Sequence, residues 1–221
     1  MQLITSKNKI ALLLPKDVST AEQFGYFTGA LCDDEQAFIS NSVTKRQLEF
    51  AAGRTCARNA LTGLGVMPQP ILRGSSRQPL WPSGIVGSIT HCNGYCAAAV
   101  AFRSSMLGIG IDAEPNQLLP SSVYDHIFDN DEIPSESPRS GLCVDRLLFS
   151  IKESIFKAWF PITGIWLDFK EVKVSIDLSS GIFRAKLLKS RGEELKERFE
   201  RSTGRFREEG THILTAFIIR A

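Results

Sequence analysis

One helix-forming stretch decides the predicted architecture of this chain: Phe149-Ser150-Ile151-Lys152-Glu153-Ser154-Ile155-Phe156-Lys157-Ala158-Trp159-Phe160-Pro161. Its apolar stripe consists of Ile151, Ile155 and Trp159, which recur every four residues and predict a helix with one buried face. We expect this helix to end at Pro161. Glu153 and Lys157 lie four residues apart and point the same way from another stripe. Taken alone, such a pair is usually solvent-exposed and contributes about 0.2 to 0.5 kcal/mol.

A second stretch, Leu107-Gly108-Ile109-Gly110-Ile111-Asp112-Ala113-Glu114-Pro115, predicts a strand on the core, because apolar residues alternate with small ones. Residues two apart in a strand project to the same side, so Asp112 and Glu114 would face one point, and Pro115 should stop the pairing there. Two convergent carboxylates attract a cation, and a small set of hard oxygen ligands suits magnesium better than calcium or zinc. The alternative for this pair alone is a solvated acidic loop.

Together, the two stretches resemble the paired signature of 4'-phosphopantetheinyl transferases. The likeness is to the large single-chain group, and most of all to the enterobactin synthase component type. Two further runs agree with it. Residues 45–58 resemble the basic helix of the family, and residues 77–82 with 87–92 resemble its second motif. The resemblance therefore extends from about residue 40 to residue 166.

The resemblance implies an enzyme that uses coenzyme A as co-substrate and Mg²⁺ as cofactor. Such an enzyme moves the 4'-phosphopantetheine arm to a serine of an acyl, peptidyl or aryl carrier protein and releases adenosine 3',5'-bisphosphate. Siderophore or other nonribosomal peptide or polyketide synthesis is the expected setting. One alternative is a non-catalytic module that binds coenzyme A or a nucleotide. Another is a protein-interaction domain whose acidic and basic residues belong only to its surface.

The resemblance also implies roles for individual residues. The magnesium ligands would be Asp112 and Glu114, with the main-chain carbonyl of Ala113, water or Glu153 completing the shell. Glu153 would act as general base, directly or through water, or serve only as a metal ligand. Lys157 would neutralise phosphate with help from Lys152. The phosphates at the adenosine end of coenzyme A would be bound by Arg46, Arg54, Arg73, Thr90 and His91. The choice of Arg73 over Arg77 is open, and an ordinary solvated basic face explains the helical arginines equally well.

Composition restricts the class of protein. The chain has 221 residues, is 43% hydrophobic and carries a net charge of only +2, which allows a substantial core and does not fit a strongly basic nucleic-acid binder. With no membrane-length apolar run and no signal-peptide layout, we expect a cytoplasmic protein without a membrane span. Five scattered cysteines predict free thiols, and the pair Cys92 and Cys96 is more typical of packing than of a metal site.

The predicted fold class is α+β. We expect a monomer with two similar-sized α/β subdomains related by pseudo-twofold symmetry, each with an antiparallel sheet packed on a long helix. Residues 1–113 would hold the basic helix, the His91 hairpin and the strand to Asp112. Residues 114–221 would hold the signature helix, 143–160, and the C-terminal strands.

The remaining elements are predicted from periodicity and turn residues. The first half begins with a strand over 9–15, a helix over 42–64 with Val43 on its apolar face, and a loop over 68–84. A hairpin over 87–102, turned at Asn93-Gly94, then continues as a meander into the strand ending at Asp112. The second half has a short helix over 121–128, a hairpin over 172–188 turned at residues 179–181, an amphipathic helix over 190–204 and a final strand over 212–219.

Overall fold

The structure is a computed structural model and describes residues 8–128, 132, 141–189 and 193–221. The α-helices of the described residues are α1 (Asp33–Gln36), α2 (Thr44–Gly63), α3 (Tyr124–Ile127), α4 (Val144–Thr163) and α5 (Glu193–Arg201). The strands are β1 (Ser19–Phe24), β2 (Leu72–Arg73), β3 (Pro79–Leu80), β4 (Ile85–Cys92), β5 (Tyr95–Phe102), β6 (Met106–Pro115), β7 (Val172–Asp177), β8 (Ile182–Leu187), β9 (Thr203–Glu209) and β10 (His212–Arg220).

Two antiparallel sheets form the framework. The first has the order β1-β5-β4 and packs against α2, and the second has the order β6-β10-β9-β8-β7 and packs against α4 and α5. A small ribbon of β2 and β3 lies between α2 and β4 in the chain. The predicted α+β class with antiparallel sheets is therefore confirmed.

Strand β6 joins the two sheets. Its backbone pairs with β10, where Asp112 lies opposite Thr215. Its other edge meets β4 through side chains, because Ser88 Oγ accepts a hydrogen bond from the Ile111 amide and Thr90 Oγ1 accepts one from the Ala113 amide, each at 3.1 Å. The predicted meander is thus wrong at its third strand, because β1 occupies the free edge of β5 and β6 pairs with β10 instead. The predicted division at residues 113 and 114 stays a prediction.

Glycines in β6 let α4 lie directly on the strand. A methyl group at Gly110 would overlap the main-chain carbonyl of Ser154, and one at Gly108 would overlap that of Ala158. Because the two backbones are in contact at these two points, α4 is held close to the end of β6. This close approach places Glu153 and Lys157 beside Asp112.

The predicted end of the signature helix at Pro161 is wrong. Pro161 lies inside α4, which continues to Thr163 and ends at Gly164 in the left-handed conformation, with φ of 65°. The Gly164 amide donates to the Phe160 carbonyl at 2.8 Å. Proline removes one amide donor, but a left-handed glycine three residues later supplies the usual C-terminal stop.

The predicted opening strand over residues 9–15 is also wrong. Ile10–Leu13 form a 3₁₀ turn, and the first strand is Ser19–Phe24. The carboxylate of Glu22, on β1, accepts hydrogen bonds from the amides of Lys9 and Ile10 at 2.6 and 3.1 Å. A distant side chain therefore fixes the start of this turn, and apolar composition alone could not reveal it.

Other predicted elements agree more closely with the structure. Helix α2 matches the prediction within two residues, although Val43 is 74% exposed and does not join its buried face. Both predicted hairpins, the short helical segment near residue 124 and the final strand are present. The predicted helix over 190–204 is too long: α5 ends at Arg201, Thr203–Glu209 form β9, and residues 190–192 lie outside the described residues.

Two predictions from composition concern the cysteines and a membrane span. All five cysteines are free. Within the described ranges, no helix combines the length and the apolar character needed to cross a bilayer.

Candidate functional site

Asp112 lies at the centre of a buried polar cluster. It is 4% exposed, and its Oδ1 atom accepts hydrogen bonds from Lys157 Nζ at 2.6 Å and Thr90 Oγ1 at 3.2 Å. Its Oδ2 atom accepts one from Ser150 Oγ at 2.8 Å. Three elements, β4, β6 and α4, therefore meet at this carboxylate.

Lys157 is surrounded by acidic groups. Burial alone would lower its pKa, but the carboxylates of Asp112, Glu153 and Glu114 outweigh burial and raise the pKa above the ordinary lysine value. Burial raises the pKa of Glu153, and Lys157 opposes that rise. The predicted pair of Glu153 and Lys157 therefore belongs to one charged cluster with Asp112 and Glu114.

Glu114 is held by an arginine that sequence reasoning missed. Arg146 NH1 donates to Glu114 Oε2 at 2.9 Å. Burial first, and Asp112 second, raise the pKa of Glu114 to about 7, although Arg146 opposes this. The signal was present in the sequence, because Arg146, Ser150, Glu153 and Lys157 follow the spacing i, i+4, i+7 and i+11 of one helical face.

Lys152 lies away from this cluster. Its Nζ atom is buried and donates to the carbonyls of Ile127 and Phe169 at 3.0 and 2.9 Å and to Glu132 Oε2 at 2.6 Å. These three acceptors match the three donors of an ammonium group. The predicted contact of Lys152 with coenzyme A stays a prediction, and this placement does not support it.

A second group of predicted residues lines one cleft of about 140 Å³. Its basic residues are Arg46, Arg54, Arg73, Arg77 and His91, so both candidates left open by the sequence, Arg73 and Arg77, reach it. Glu49 is the carboxylate among its lining residues. Such a concentration of guanidinium groups is typical of a site for phosphate or carboxylate.

Arg54 is the most deeply buried of these arginines. It is 6% exposed, its Nε donates to the Ile71 carbonyl at 2.7 Å, and its guanidinium lies 4.2 Å from the centre of the Phe50 ring. Burial lowers its pKa to about 10, while Glu35 opposes that shift and Arg46 adds to it. A charged, buried Arg54 beside other cations would be stabilised by a bound anion.

Thr90 and His91 connect the two groups, because successive side chains of a strand point to opposite sides. Thr90 reaches Asp112, whereas Nε2 of His91 lies 2.8 Å from NH1 of Arg46. Burial lowers the pKa of His91, and Arg46 lowers it further. A neutral His91 can accept the hydrogen bond from Arg46 and leaves the positive charge of the cleft on the arginines.

The chemistry of the carboxylate cluster fits a divalent cation. Asp112, Glu114 and Glu153 offer hard oxygen atoms, the kind of ligand that a divalent cation such as magnesium prefers. However, no three His, Cys, Asp or Glu side chains in the described part of the chain form a complete metal site. The predicted magnesium ligands, including the Ala113 carbonyl, therefore stay a prediction.

These features define a class of protein: one with a buried cluster of carboxylates and a lysine next to a basic cleft that suits an anionic ligand. Comparison with known proteins then identifies the family. The family model of the 4'-phosphopantetheinyl transferase N-terminal domain matches residues 34–101, and that of the 4'-phosphopantetheinyl transferase superfamily matches residues 108–215. The chain belongs to the 4'-phosphopantetheinyl transferase family, as the resemblance predicted, and it is an enzyme of that class.

Individual relatives support this assignment. The 4'-phosphopantetheinyl transferase Svp of Streptomyces mobaraensis is 44% identical over 81% of this chain and 76% of its own length. The 4'-phosphopantetheinyl transferase PptT of Mycobacterium tuberculosis is 42% identical over 77% of this chain and 78% of its own. Enterobactin synthase component D of Escherichia coli K12 is 38% identical, and that similarity covers 55% of this chain and 59% of the relative.

Proposed function

We propose that this enzyme transfers the 4'-phosphopantetheine group of coenzyme A to a serine of a carrier protein and releases adenosine 3',5'-bisphosphate. The observation that carries the proposal is the junction at β4, where Thr90 contacts the acidic cluster and His91 contacts the arginine cleft. Coenzyme A suits this arrangement, because the phosphates at its adenosine end can bind in the arginine cleft while its pyrophosphate reaches the acidic cluster.

The arginine cleft binds the phosphates at the adenosine end of coenzyme A. Arg54 supplies a buried charge, and the more exposed Arg46 can close over the ligand while His91 orients it. Guanidinium groups can bind phosphate through two parallel hydrogen bonds. Arg73 ends strand β2, Arg77 lies in the turn that leads to β3, and both line the cleft.

The acidic cluster binds magnesium through Asp112, Glu114 and Glu153, with the Ala113 carbonyl as a further ligand. When bound, the ion supplies positive charge that offsets the charge developing on the pyrophosphate oxygens. The donor chemistry supports this role, because three carboxylates provide hard oxygen ligands in one cluster.

In the reaction, the serine oxygen forms a bond to the β-phosphorus. The bond from that phosphorus to the bridging oxygen breaks, and its electron pair leaves with adenosine 3',5'-bisphosphate. Glu153 takes the serine proton, directly or through a water molecule, since a carboxylate in this cluster is a suitable general base. Lys157 remains protonated and stabilises the negative charge on the transferred phosphate.

The relatives indicate the kind of biosynthesis in which this enzyme acts. Enterobactin synthase component D is named for a siderophore, so the acceptor here is a carrier protein of siderophore or other nonribosomal peptide or polyketide synthesis. We expect a cytoplasmic monomer whose halves are related by pseudo-twofold symmetry. Support for that symmetry is limited to one feature, a 20-residue helix packed on an antiparallel sheet in each half.

Intact-mass analysis tests this function. Several apo carrier proteins are incubated with the enzyme, coenzyme A and Mg²⁺, and one of them should gain the mass of phosphopantetheine. Omitting coenzyme A, or using Asp112→Asn, should abolish the gain. Coenzyme A binding without an adduct on any siderophore, nonribosomal peptide or polyketide carrier would favour the rival, a non-catalytic binding module.

A further inference from the structure

All three guanidinium nitrogens of Arg146, in the first turn of α4, donate hydrogen bonds. NH1 donates to Glu114 Oε2 at 2.9 Å, Nε donates to the Gln117 carbonyl at 2.9 Å, and NH2 donates to the Leu118 carbonyl at 3.0 Å. The side chain is only 16% exposed. One residue therefore holds both a carboxylate of the acidic cluster and the main chain that follows it.

Glu114 needs such a partner because the sheet fixes only its backbone. Its main chain lies opposite Ile213 on β10, near the end of β6. A glutamate side chain has three rotatable torsions, and ordering them in one conformation costs entropy. Arg146 restrains the carboxylate through one hydrogen bond, while its rigid planar group is anchored by two others to the Gln117 and Leu118 carbonyls.

The side chain of Arg146 pairs with Glu114 and not with the adjacent carboxylate of Asp145. Asp145 is adjacent in sequence, but its Oδ2 atom accepts hydrogen bonds from the Leu119 amide at 2.8 Å and the Tyr124 hydroxyl at 2.5 Å. The start of α4 is also tied to the chain after β6, because the Cys143 amide donates to Asn116 Oδ1 at 2.9 Å. The position of Arg146 relative to Glu114 is thus fixed from both sides.

We propose that Arg146 is a positioning residue, which holds the Glu114 carboxylate and the adjoining backbone in place for the divalent cation. This inference rests on the proposed magnesium role of Glu114. Arg146 acts through Glu114 and does not touch the reacting atoms. Hydrogen-bond partners of metal ligands typically change metal affinity by about 10- to 100-fold when they are removed.

The test measures Mg²⁺ binding to the full chain by calorimetry in the presence of coenzyme A, without a carrier protein. Arg146→Met should weaken Mg²⁺ binding by roughly 10- to 100-fold. Arg146→Lys should cause a smaller loss, because an ammonium group keeps the charge but lacks the fork. The matched control is Arg184→Met on the exposed side of β8, which should bind Mg²⁺ like the unaltered chain.

A double mutant shows whether Arg146 affects Mg²⁺ binding through Glu114 or independently of it. If Arg146 acts through Glu114, the pair Glu114→Gln and Arg146→Met should bind Mg²⁺ no more weakly than Glu114→Gln alone. A fully additive loss would overturn the proposal. So would unaltered Mg²⁺ binding by Arg146→Met. Should that variant fail to fold, Arg146→Lys takes its place in both comparisons.

The same series distinguishes this inference from the function on which it rests. If Glu114→Gln weakens Mg²⁺ binding and the Arg146 variants do not, only the positioning role is wrong. If Glu114→Gln itself binds Mg²⁺ normally, Glu114 is not a ligand, and the inference fails because its basis has failed.

Discussion

Lys157 Nζ lies 2.6 Å from Asp112 Oδ1, and this contact joins helix α4 to the end of strand β6 at the proposed reaction centre. The two residues are 45 positions apart in the chain. Glycines in β6 make the contact possible, since they allow the helix backbone to lie on the strand backbone. The geometry of the proposed reaction centre therefore depends on how α4 packs on β6.

We expect Asp112→Asn to lower transfer to the carrier protein by roughly 10²- to 10³-fold, comparable to the loss of one key electrostatic group in other enzymes. The substitution keeps the size of the side chain but removes the charge next to Lys157. Single-turnover mass analysis of the carrier measures the effect. A variant that retained normal transfer would exclude Asp112 from the reaction centre.

Removing the charge of Asp112 should also affect stability, because Lys157 then lies beside an amide. We expect Asp112→Asn to lower the free energy of unfolding by about 1 to 3 kcal/mol. Adding Lys157→Met should restore part of this loss, since the ammonium no longer needs a partner. Urea denaturation of the single and double variants measures both effects, and strictly additive losses would contradict the pairing.

Arg54 and Arg58 lie one turn apart on α2 and should behave differently. Arg54 lines the basic cleft, whereas Arg58 NH1 pairs with the fully buried carboxylate of Glu35 at 2.5 Å. Arg54→Met should raise the KM for coenzyme A by roughly 10- to 100-fold, the usual value of a charged hydrogen bond. Steady-state kinetics with varied coenzyme A measures this.

Arg58→Met is the matched control for that experiment. It leaves Glu35 buried without its cation and should cost about 3 to 5 kcal/mol of stability. The KM for coenzyme A should stay unchanged at a temperature where the variant is folded. An equal rise in KM for both variants would mean that the helix, and not Arg54 itself, determines binding.

We expect the free energy of unfolding to fall at alkaline pH because Tyr95 is buried as a neutral phenol. Burial raises the pKa of its phenol above the ordinary value of 10.0, and Glu22, which accepts its hydrogen bond at 2.8 Å, raises it further. The folded chain keeps the proton where the unfolded chain releases it. Stability is therefore fully present below pH 10 and is lost as the pH rises above it.

Urea denaturation between pH 8 and pH 11 measures this alkaline loss. Tyr95→Phe should remove the component that comes from Tyr95, at the cost of the hydrogen bond to Glu22. The control is Tyr26→Phe, because Tyr26 is 98% exposed and should not alter the pH dependence of unfolding. Identical pH profiles for Tyr95→Phe and the unaltered chain would contradict the prediction.

Local patterns predicted the elements that carry the site. Helical spacing indicated α4 and alternation indicated β6, and the residues predicted from them, Asp112, Glu114, Glu153 and Lys157, lie in one cluster. The spacing of α2 likewise placed Arg46, Arg54 and Arg58 on one side of a helix, and of these three Arg46 and Arg54 line the cleft while Arg58 pairs with Glu35. The helices and the strand could be predicted because their periodicity depends on neighbours in sequence, whereas the meeting of α4 with β6 was implied by the family resemblance.

The failures have a different physical origin. The 3₁₀ turn at Ile10–Leu13 depends on Glu22, and the burial of Lys152 depends on carbonyls from two distant segments. The pairing of β6 with β10 depends on the end of the chain. Such long-range hydrogen bonds leave no periodic signal in the sequence, so they required the structure.

The packing of α4 on β6 leads to a final prediction. Gly110→Ala would place a methyl group against the Ser154 carbonyl, and backbone cannot move aside as a side chain can. We expect a loss of about 1 to 3 kcal/mol or more in stability, as for other overpacked sites. Transfer should also fall at temperatures where the variant stays folded, because the helix carries Glu153 and Lys157 away from Asp112. Thermal unfolding and transfer assays on the same sample measure both effects, and normal transfer by a destabilised Gly110→Ala would show that the reaction tolerates a displaced α4.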